Sequence, residues 1–177
     1  MNNGKISVRY ARALYNTAKE MGCGKVVYDQ LTGFIGQYEA NAQQINAVLA
    51  NPVVGKADRI LLLEAAVGPD VHPCLKDFMA FVVEKKRENK MYLIALKYGE
   101  LYREENRILQ TRLTTATKLE QTTLDEIKSY IRTKFNADVE LQESIDASII
   151  GGFVLDVGDE RYDASIAQQL RLFKKNL

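Results

Sequence analysis

The sequence predicts an α+β protein of two domains: a bundle of about six helices over residues 1–105, then a small domain over residues 106–177 built from a mixed sheet and two helices. Three observations carry this. Up to about Glu105 the apolar side chains recur every three to four positions, the period of an amphipathic helix. From Leu109 onward they alternate with polar ones, the period of a half-buried strand. In the closing segment the period switches once more, from two before Asp163 to the helical spacing after it.

The first helix runs from Ile6 to Met21 and carries two apolar stripes, Ile6, Tyr10, Ala13, Leu14, Thr17, Met21 and, on much of the other side, Val8, Ala11, Tyr15, Ala18. A helix apolar on two sides is either central in its domain or buried on one side and docked to a partner on the other. The sequence leaves both open. Gly22 and Gly24 end it, and stripes through Val27, Leu31, Phe34, Ile35, Tyr38 and through Ile45, Val48, Leu49 give the next two helices, with Asn51-Pro52 as a stop. A fourth helix spans Lys56 to Val67 through Ala57, Ile60, Leu61 and Leu63, and Gly68-Pro69 closes it. The fifth, Leu75 to Lys86, holds the run Phe78-Met79-Ala80-Phe81-Val82-Val83, which leaves no polar face, so it is expected to be enclosed or to serve as a docking surface. Met91, Ile94, Ala95, Tyr98, Leu101 and Tyr102 form the stripe of a sixth.

In the second half, the alternation from Leu109 to Leu119 predicts a long strand, and Thr123 with Glu126 predicts a capped helix burying Leu124, Ile127, Ile131 and Phe135. A strand with Val139 and Leu141 inward follows. Gly151-Gly152 then enters a strand through Phe153, Leu155 and Val157, where a glycine pair permits positive φ or the close approach of another backbone. Gly158-Asp159 is a hairpin turn, Glu160 to Tyr162 a return strand, and Ser165 with Gln168 a capping box opening the last helix. Phe153, Leu155, Ile166, Leu170 and Phe173 are expected to form a small core, with both helices on one face of the sheet; Leu170→Ala would then cost about 2–5 kcal/mol.

Balanced charge, +1 over 177 residues, argues against a nucleic-acid surface spread over the molecule, and Lys85-Lys86-Arg87 is expected to be a solvated helix end. Cys23 and Cys74 have neither a disulfide framework nor zinc-ligand spacing and are expected to be buried thiols of a reducing compartment. The lone His72 has no partner for catalysis or metal binding. No phosphate loop, GxSxG or HExxH occurs, and the hairpin distributes Asp156, Asp159, Glu160 and Asp163 over both faces, so no cofactor or metal is expected. Asp163 is expected to accept hydrogen bonds at the helix start. The start MNNGKISVRYAR lacks an apolar signal core and an organelle presequence, which predicts a bacterial protein remaining on the cytoplasmic side. These features describe an adaptor. The competing readings are a helical RNA- or transcription-associated module and, further behind, a small cation-dependent enzyme using the terminal acids.

The run IIGGFVLDVGDERYDASIAQQL resembles the closing signature of the delta subunit of bacterial F-type ATP synthase, the oligomycin-sensitivity-conferring protein of mitochondria. Gly151, Gly152, Gly158, Asp159, Asp163, Ser165 and Leu170 carry that resemblance, with Ala164 in place of the usual glycine and Asp156 where the family more often has a basic or uncharged polar residue. Arg9-Tyr10-Ala11-Arg12-Ala13-Leu14-Tyr15, Leu49-Ala50-Asn51-Pro52-Val53, Glu88-Asn89-Lys90 and Thr114-Thr115-Ala116-Thr117-Lys118-Leu119 are similar to further family segments, so the likeness spans the chain. The resemblance implies a non-catalytic stator subunit, one copy per complex, supporting proton-driven ATP synthesis at the cytoplasmic face of the bacterial inner membrane and meeting that membrane only through the complex. It implies that the helical domain binds N-terminal segments of the alpha subunits, in a groove between the first and fifth helices offering Tyr10, Ala13, Leu14, Phe78, Phe81 and Val82. The second domain would meet the b subunits of the peripheral stalk.

Overall fold

The computed structural model describes residues 3–158 and 160–175; Asp159, named above, lies outside the described residues. The chain divides into two compact units, Met1–Glu104 and Glu105–Leu177.

In the first unit, α1 (Asn3–Glu20), α2 (Gly24–Ala40), α3 (Ala42–Ala50), α4 (Lys56–Val67), α5 (Pro73–Glu84) and α6 (Met91–Glu105) surround one core. Leu14, Leu31, Phe34, Leu63, Met79 and Tyr98 are its large buried side chains. Each helix supplies a stripe too small to be buried alone, which is why the stripes meet. Leu61 departs from expectation and is exposed, because the inward side of α4 is set by Leu63. Pro73 opens α5, where its missing N–H costs nothing, and His72 caps that helix by accepting the Cys74 N–H on Nδ1 at 3.3 Å. A tight helical turn, Glu88–Lys90, leads into α6. Its Glu88 is buried against the Arg59 guanidinium, which also donates to the Asn51 carbonyl at 3.0 Å, so one cation joins the end of α3, the start of α4 and the approach to α6. Lys85, Lys86 and Arg87 are exposed at the end of α5.

The second unit holds β1 (Ile108–Thr115), α7 (Gln121–Phe135), β2 (Asp138–Ile145), β3 (Phe153–Val157), β4 (Glu160–Asp163) and α8 (Ile166–Lys175), with a helical turn at Ala147–Ile149. The sheet order is β2-β1-β3-β4, with β1 parallel to β2 and antiparallel to β3, so α7 is the crossover that parallel pairing requires. Ile131 of α7 packs on Val139 and Val157, and Leu109, Ile127, Phe135, Leu141 and Leu155 close around them. Asn136, at φ 48°, ends α7 in the left-handed conformation.

Three expectations are corrected. The first strand ends at Thr115, not Leu119: its register with β2 stops there, the Thr115 hydroxyl donates to the Thr117 carbonyl at 2.8 Å, and the chain turns. Helix α7 begins at Gln121 with Glu120 at its cap, so Thr123 lies inside the helix. Helix α8 does not share the core of the sheet. Its closest packing is on the Ala147–Ile149 turn, and Ile166, Leu170 and Phe173 remain 43%, 49% and 72% exposed, as does Phe153 at 43%. Only Leu155 of the five expected residues joins the core, because α7 alone fills that face.

What α8 does have is a backbone seat. The Ile166 N–H donates to the Gly151 carbonyl at 3.0 Å and the Ala164 N–H to the Phe153 carbonyl at 2.9 Å. That approach leaves no room for a side chain: a Cβ on Gly151 would lie 2.8 Å from Ile166, and one on Gly152, at φ +75°, would lie 2.3 Å from the Ala164 carbonyl oxygen. The glycine pair therefore serves both close approach and positive φ.

Gly152→Ala is expected to lower the stability of this unit by about 2 kcal/mol or more, since it adds a backbone clash to the strain of positive φ, whereas Gly158→Ala meets the strain alone. Equal losses in thermal melts would remove the clash from the account. Ile131→Ala should cost about 2–5 kcal/mol and Leu170→Ala less than about 1 kcal/mol, and a reversed ranking in denaturant titrations would restore α8 to the core.

Candidate partner-docking site

Helix α1 resolves its two stripes unequally. Ser7, Ala11, Leu14, Tyr15 and Ala18 face the core, while Ala13, Thr17 and Met21 stay at the surface and Tyr10 is half-buried. On α5 the run of six apolar residues divides likewise: Met79, Val82 and Val83 are buried, Phe78 is partly so, and Phe81 is 45% exposed. Val82, expected at the docking surface, is 0% exposed and belongs to the core, because it shares the inward face of α5 with Leu75 and Met79.

Between the two helices lies a groove of about 280 Å³ lined by Ala13, Leu14, Thr17 and Met21 from α1 and Cys74, Asp77, Phe78 and Phe81 from α5. Tyr10 stands beside it, its ring edge-on to Phe78 at 6.4 Å and tilted against Phe81 at 5.8 Å. Arg9 lies 5.9 Å from the Tyr10 ring and Lys85 5.5 Å from the Phe81 ring, so cations flank the aromatic end. The Thr17 hydroxyl donates to the Ala13 carbonyl at 3.1 Å, which satisfies it within α1 and leaves the groove wall suited to apolar contact. The structure thus brings Tyr10, Ala13, Leu14, Phe78 and Phe81 together. Cys74 and Asp77, which sequence reasoning did not place here, precede Phe78 and Phe81 at helical spacing, the one signal that could have found them.

The closing signature forms a second place. Asp163 Oδ1 accepts the Ser165 N–H at 3.0 Å and the Ser165 hydroxyl at 2.6 Å, and Ser165 Oγ accepts the Gln168 N–H at 3.2 Å, so the start of α8 is capped. These bonds to Ser165 hold the Asp163 carboxyl below its ordinary value. Gly158 turns the hairpin at φ 57°. Leu170 is on the half-exposed apolar stripe of α8, and Ile150 and Phe153 of the same unit are exposed as well. Asp156 stands in register between Arg112 and Arg161, with the Arg161 Nε 3.7 Å from its carboxylate, so the acid that departs from the family pattern is matched by its cross-strand neighbours.

Among the described residues, no group of three or more His, Cys, Asp or Glu could hold a metal ion, and no helix is long and apolar enough to cross a membrane. An open apolar groove on one unit and a half-exposed amphipathic helix on the other are the make-up of a docking protein. Residues 6–177 match the family described as ATP synthase delta (OSCP) subunit. An ATP synthase subunit delta of Bacteroides fragilis is 34% identical over 99% of this chain and 95% of its own length. That of Phocaeicola vulgatus is 32% identical over 97% and 93%. A chain in the solved structure of the Toxoplasma gondii mitochondrial ATP synthase hexamer superimposes with a TM-score of 0.68 at 21% identity, covering 96% of both chains, a likeness of fold. This chain belongs to the ATP synthase delta (OSCP) subunit family. It is a non-catalytic structural subunit of ATP synthase, acting in ATP synthesis and ion transport as a part of that complex peripheral to the membrane. The comparisons give no support to the RNA- or transcription-associated reading.

Because the folded Asp163 carboxyl sits below its ordinary value of 3.8, it contributes stability above that value, and the contribution is lost as pH falls through the lower folded one. The second unit should therefore lose stability in acid, and Asp163→Asn, which keeps an oxygen acceptor but not the charge, should flatten part of that decline. Identical acid titrations of the two proteins would exclude this carboxylate from the effect.

Proposed function

We propose that the groove between α1 and α5 receives the N-terminal segment of an ATP synthase alpha subunit, and that the second unit binds the b subunits of the peripheral stalk. One copy per complex then ties the catalytic head to the stalk at the cytoplasmic face of the bacterial inner membrane and keeps the head from turning with the rotor. The observation that carries the reading is the groove itself: apolar floor, aromatic end, and a width set by two helices, which fits the helix-in-groove mode of recognition. Phe78 and Phe81 supply ring area, and Tyr10 adds a hydroxyl at the edge. For the b subunits, the support is the apolar stripe of α8, where Ile166, Leu170 and Phe173 stay 43%, 49% and 72% exposed.

A synthetic peptide copying the alpha N-terminus is expected to bind the full chain with weak dependence on salt, because apolar docking involves few charges. Phe81→Ala should weaken it roughly tenfold, about 1.4 kcal/mol, and Tyr10→Asp at least as much by placing a charge in a dry contact. Melting temperatures are measured alongside, since Tyr10 also packs on α5. Leu170→Asp should spare the peptide and abolish capture by a b-subunit fragment. Wild-type peptide affinity in a folded Phe81→Ala protein would remove the groove from the interface, and retained b-fragment binding in Leu170→Asp would remove α8.

A further inference from the structure

Two sulfur-bearing residues, Met21 and Cys74, line the groove between α1 and α5, and the fold treats them differently. Cys74 is buried, and that burial pushes its thiol up to about 11, so little thiolate forms near neutrality and the group is a poor nucleophile. Met21 is 57% exposed, and a thioether reacts through a sulfur lone pair without first losing a proton. Its backbone is held in place: the Met21 N–H donates to the Thr17 carbonyl at 3.0 Å, and Gly22, at φ 66°, turns the chain directly afterwards. Just past the end of α1, Met21 continues the row of Ala13 and Thr17 at four-residue spacing and stands about three helical turns from Tyr10, so it lines the stretch of groove farthest along α1 from that ring. Met79 and Met91 are fully buried in the core of the same unit.

We infer that Met21 is a modification site, the thioether that a peroxide entering the open groove converts to the sulfoxide, and that this change weakens the docking of an apolar helix there. The sulfur lone pair attacks one peroxide oxygen, the O–O bond breaks, and the departing hydroxide takes the proton left on the oxygen now bound to sulfur. One thioether and one hydrogen peroxide become one sulfoxide and one water, with two electrons passing from the sulfur to the peroxide. The product carries a strong hydrogen-bond acceptor where the groove had a soft apolar side chain. In the open groove water solvates that oxygen, and a helix laid over it takes the water away. The Thr17 hydroxyl, one turn back on the same wall, already donates to the Ala13 carbonyl, so the new oxygen is covered without that donor. The same helix would cover Met21 in the complex. On that point, which rests on the docking reading above, the free subunit is the form that becomes oxidised and the assembled one is protected.

The test exposes the full chain to hydrogen peroxide, follows each methionine-containing peptide by its gain of one oxygen, and then measures binding of the alpha peptide with the melting temperature recorded alongside. Met21 is expected to be oxidised roughly tenfold faster than the buried Met79 and Met91. The oxidised protein should bind the peptide roughly fivefold more weakly, with the affinity restored by methionine sulfoxide reductase. Met21→Leu, which keeps an apolar side chain and cannot form a sulfoxide, should bind equally before and after the same treatment. Equal rates at the three methionines, or oxidation of Cys74 ahead of Met21, would overturn the site. Unchanged affinity in a folded protein carrying the Met21 sulfoxide would overturn the effect on docking, as would an equal loss in Met21→Leu. With the alpha peptide bound at saturation, oxidation of Met21 should slow roughly fivefold, and an unchanged rate would overturn the protection. A peptide that never binds the untreated chain, alongside fast oxidation at Met21 and none at Met79 or Met91, would count against the docking reading and leave the modification site standing.

Discussion

The Tyr98 hydroxyl donates to the Gly24 carbonyl at 3.0 Å inside a core from which water is excluded, and the arrangement of the helical unit depends on that bond. A buried phenol without a partner costs several kcal/mol, so the bond fixes where α6 stands against the start of α2. Burial pushes the hydroxyl well above its ordinary value, which keeps it a neutral donor. Tyr15 of α1 meets the same ring edge-on at 5.9 Å, and Tyr102 stacks at 6.4 Å. Tyr102 in turn stacks on Tyr28 at 4.5 Å. With α1 held at this side by tyrosines, its opposite side is the one left facing α5, and the groove follows from that placement.

Both docking places arise from the same surplus. Helices α1 and α5 carry more apolar residues than one core face can take, and α8 carries an apolar stripe on a sheet whose covered face α7 has already filled. Exposed apolar side chains scattered singly mean little in a folded protein. Phe78 and Phe81 beside Tyr10, and Ile166 with Leu170 and Phe173, are grouped, and grouping is what marks an interaction surface.

Much of this was legible in the sequence. The six helical stripes, the strand after Glu105, the hairpin, the Ser165 cap and the need for glycine at Gly151 and Gly152 all follow from local periodicity and backbone chemistry, which a few neighbouring residues determine. The position of α8 was not legible, because an amphipathic stripe records only that a helix has an apolar side and is silent on whether its own chain or another covers it. Val82 was misplaced for a related reason: in six consecutive apolar residues the pattern contains no phase, and only the packing of Leu75 and Met79 sets which side faces in. Thr117 and Leu119 continue the alternation of β1 but lie past its register with β2, which ends at Thr115 opposite Ile145, and the Leu119 N–H goes to the Glu143 side chain at 3.1 Å in place of a ladder carbonyl.

The seat of α8 on Gly151 and Phe153 has a mechanical meaning. Both hydrogen bonds there join main chain to main chain, and β3 continues into antiparallel pairing with β1 from Thr111 to Thr115. A pull on α8 passes into β3 and from there into the central strand, where several hydrogen bonds resist it together instead of opening one at a time. Side-chain packing yields as residues change rotamer, but a backbone ladder stretches little before it fails. A half-exposed helix would ordinarily be the softest part of its unit; seated this way, it is stiffly joined to the middle of the sheet.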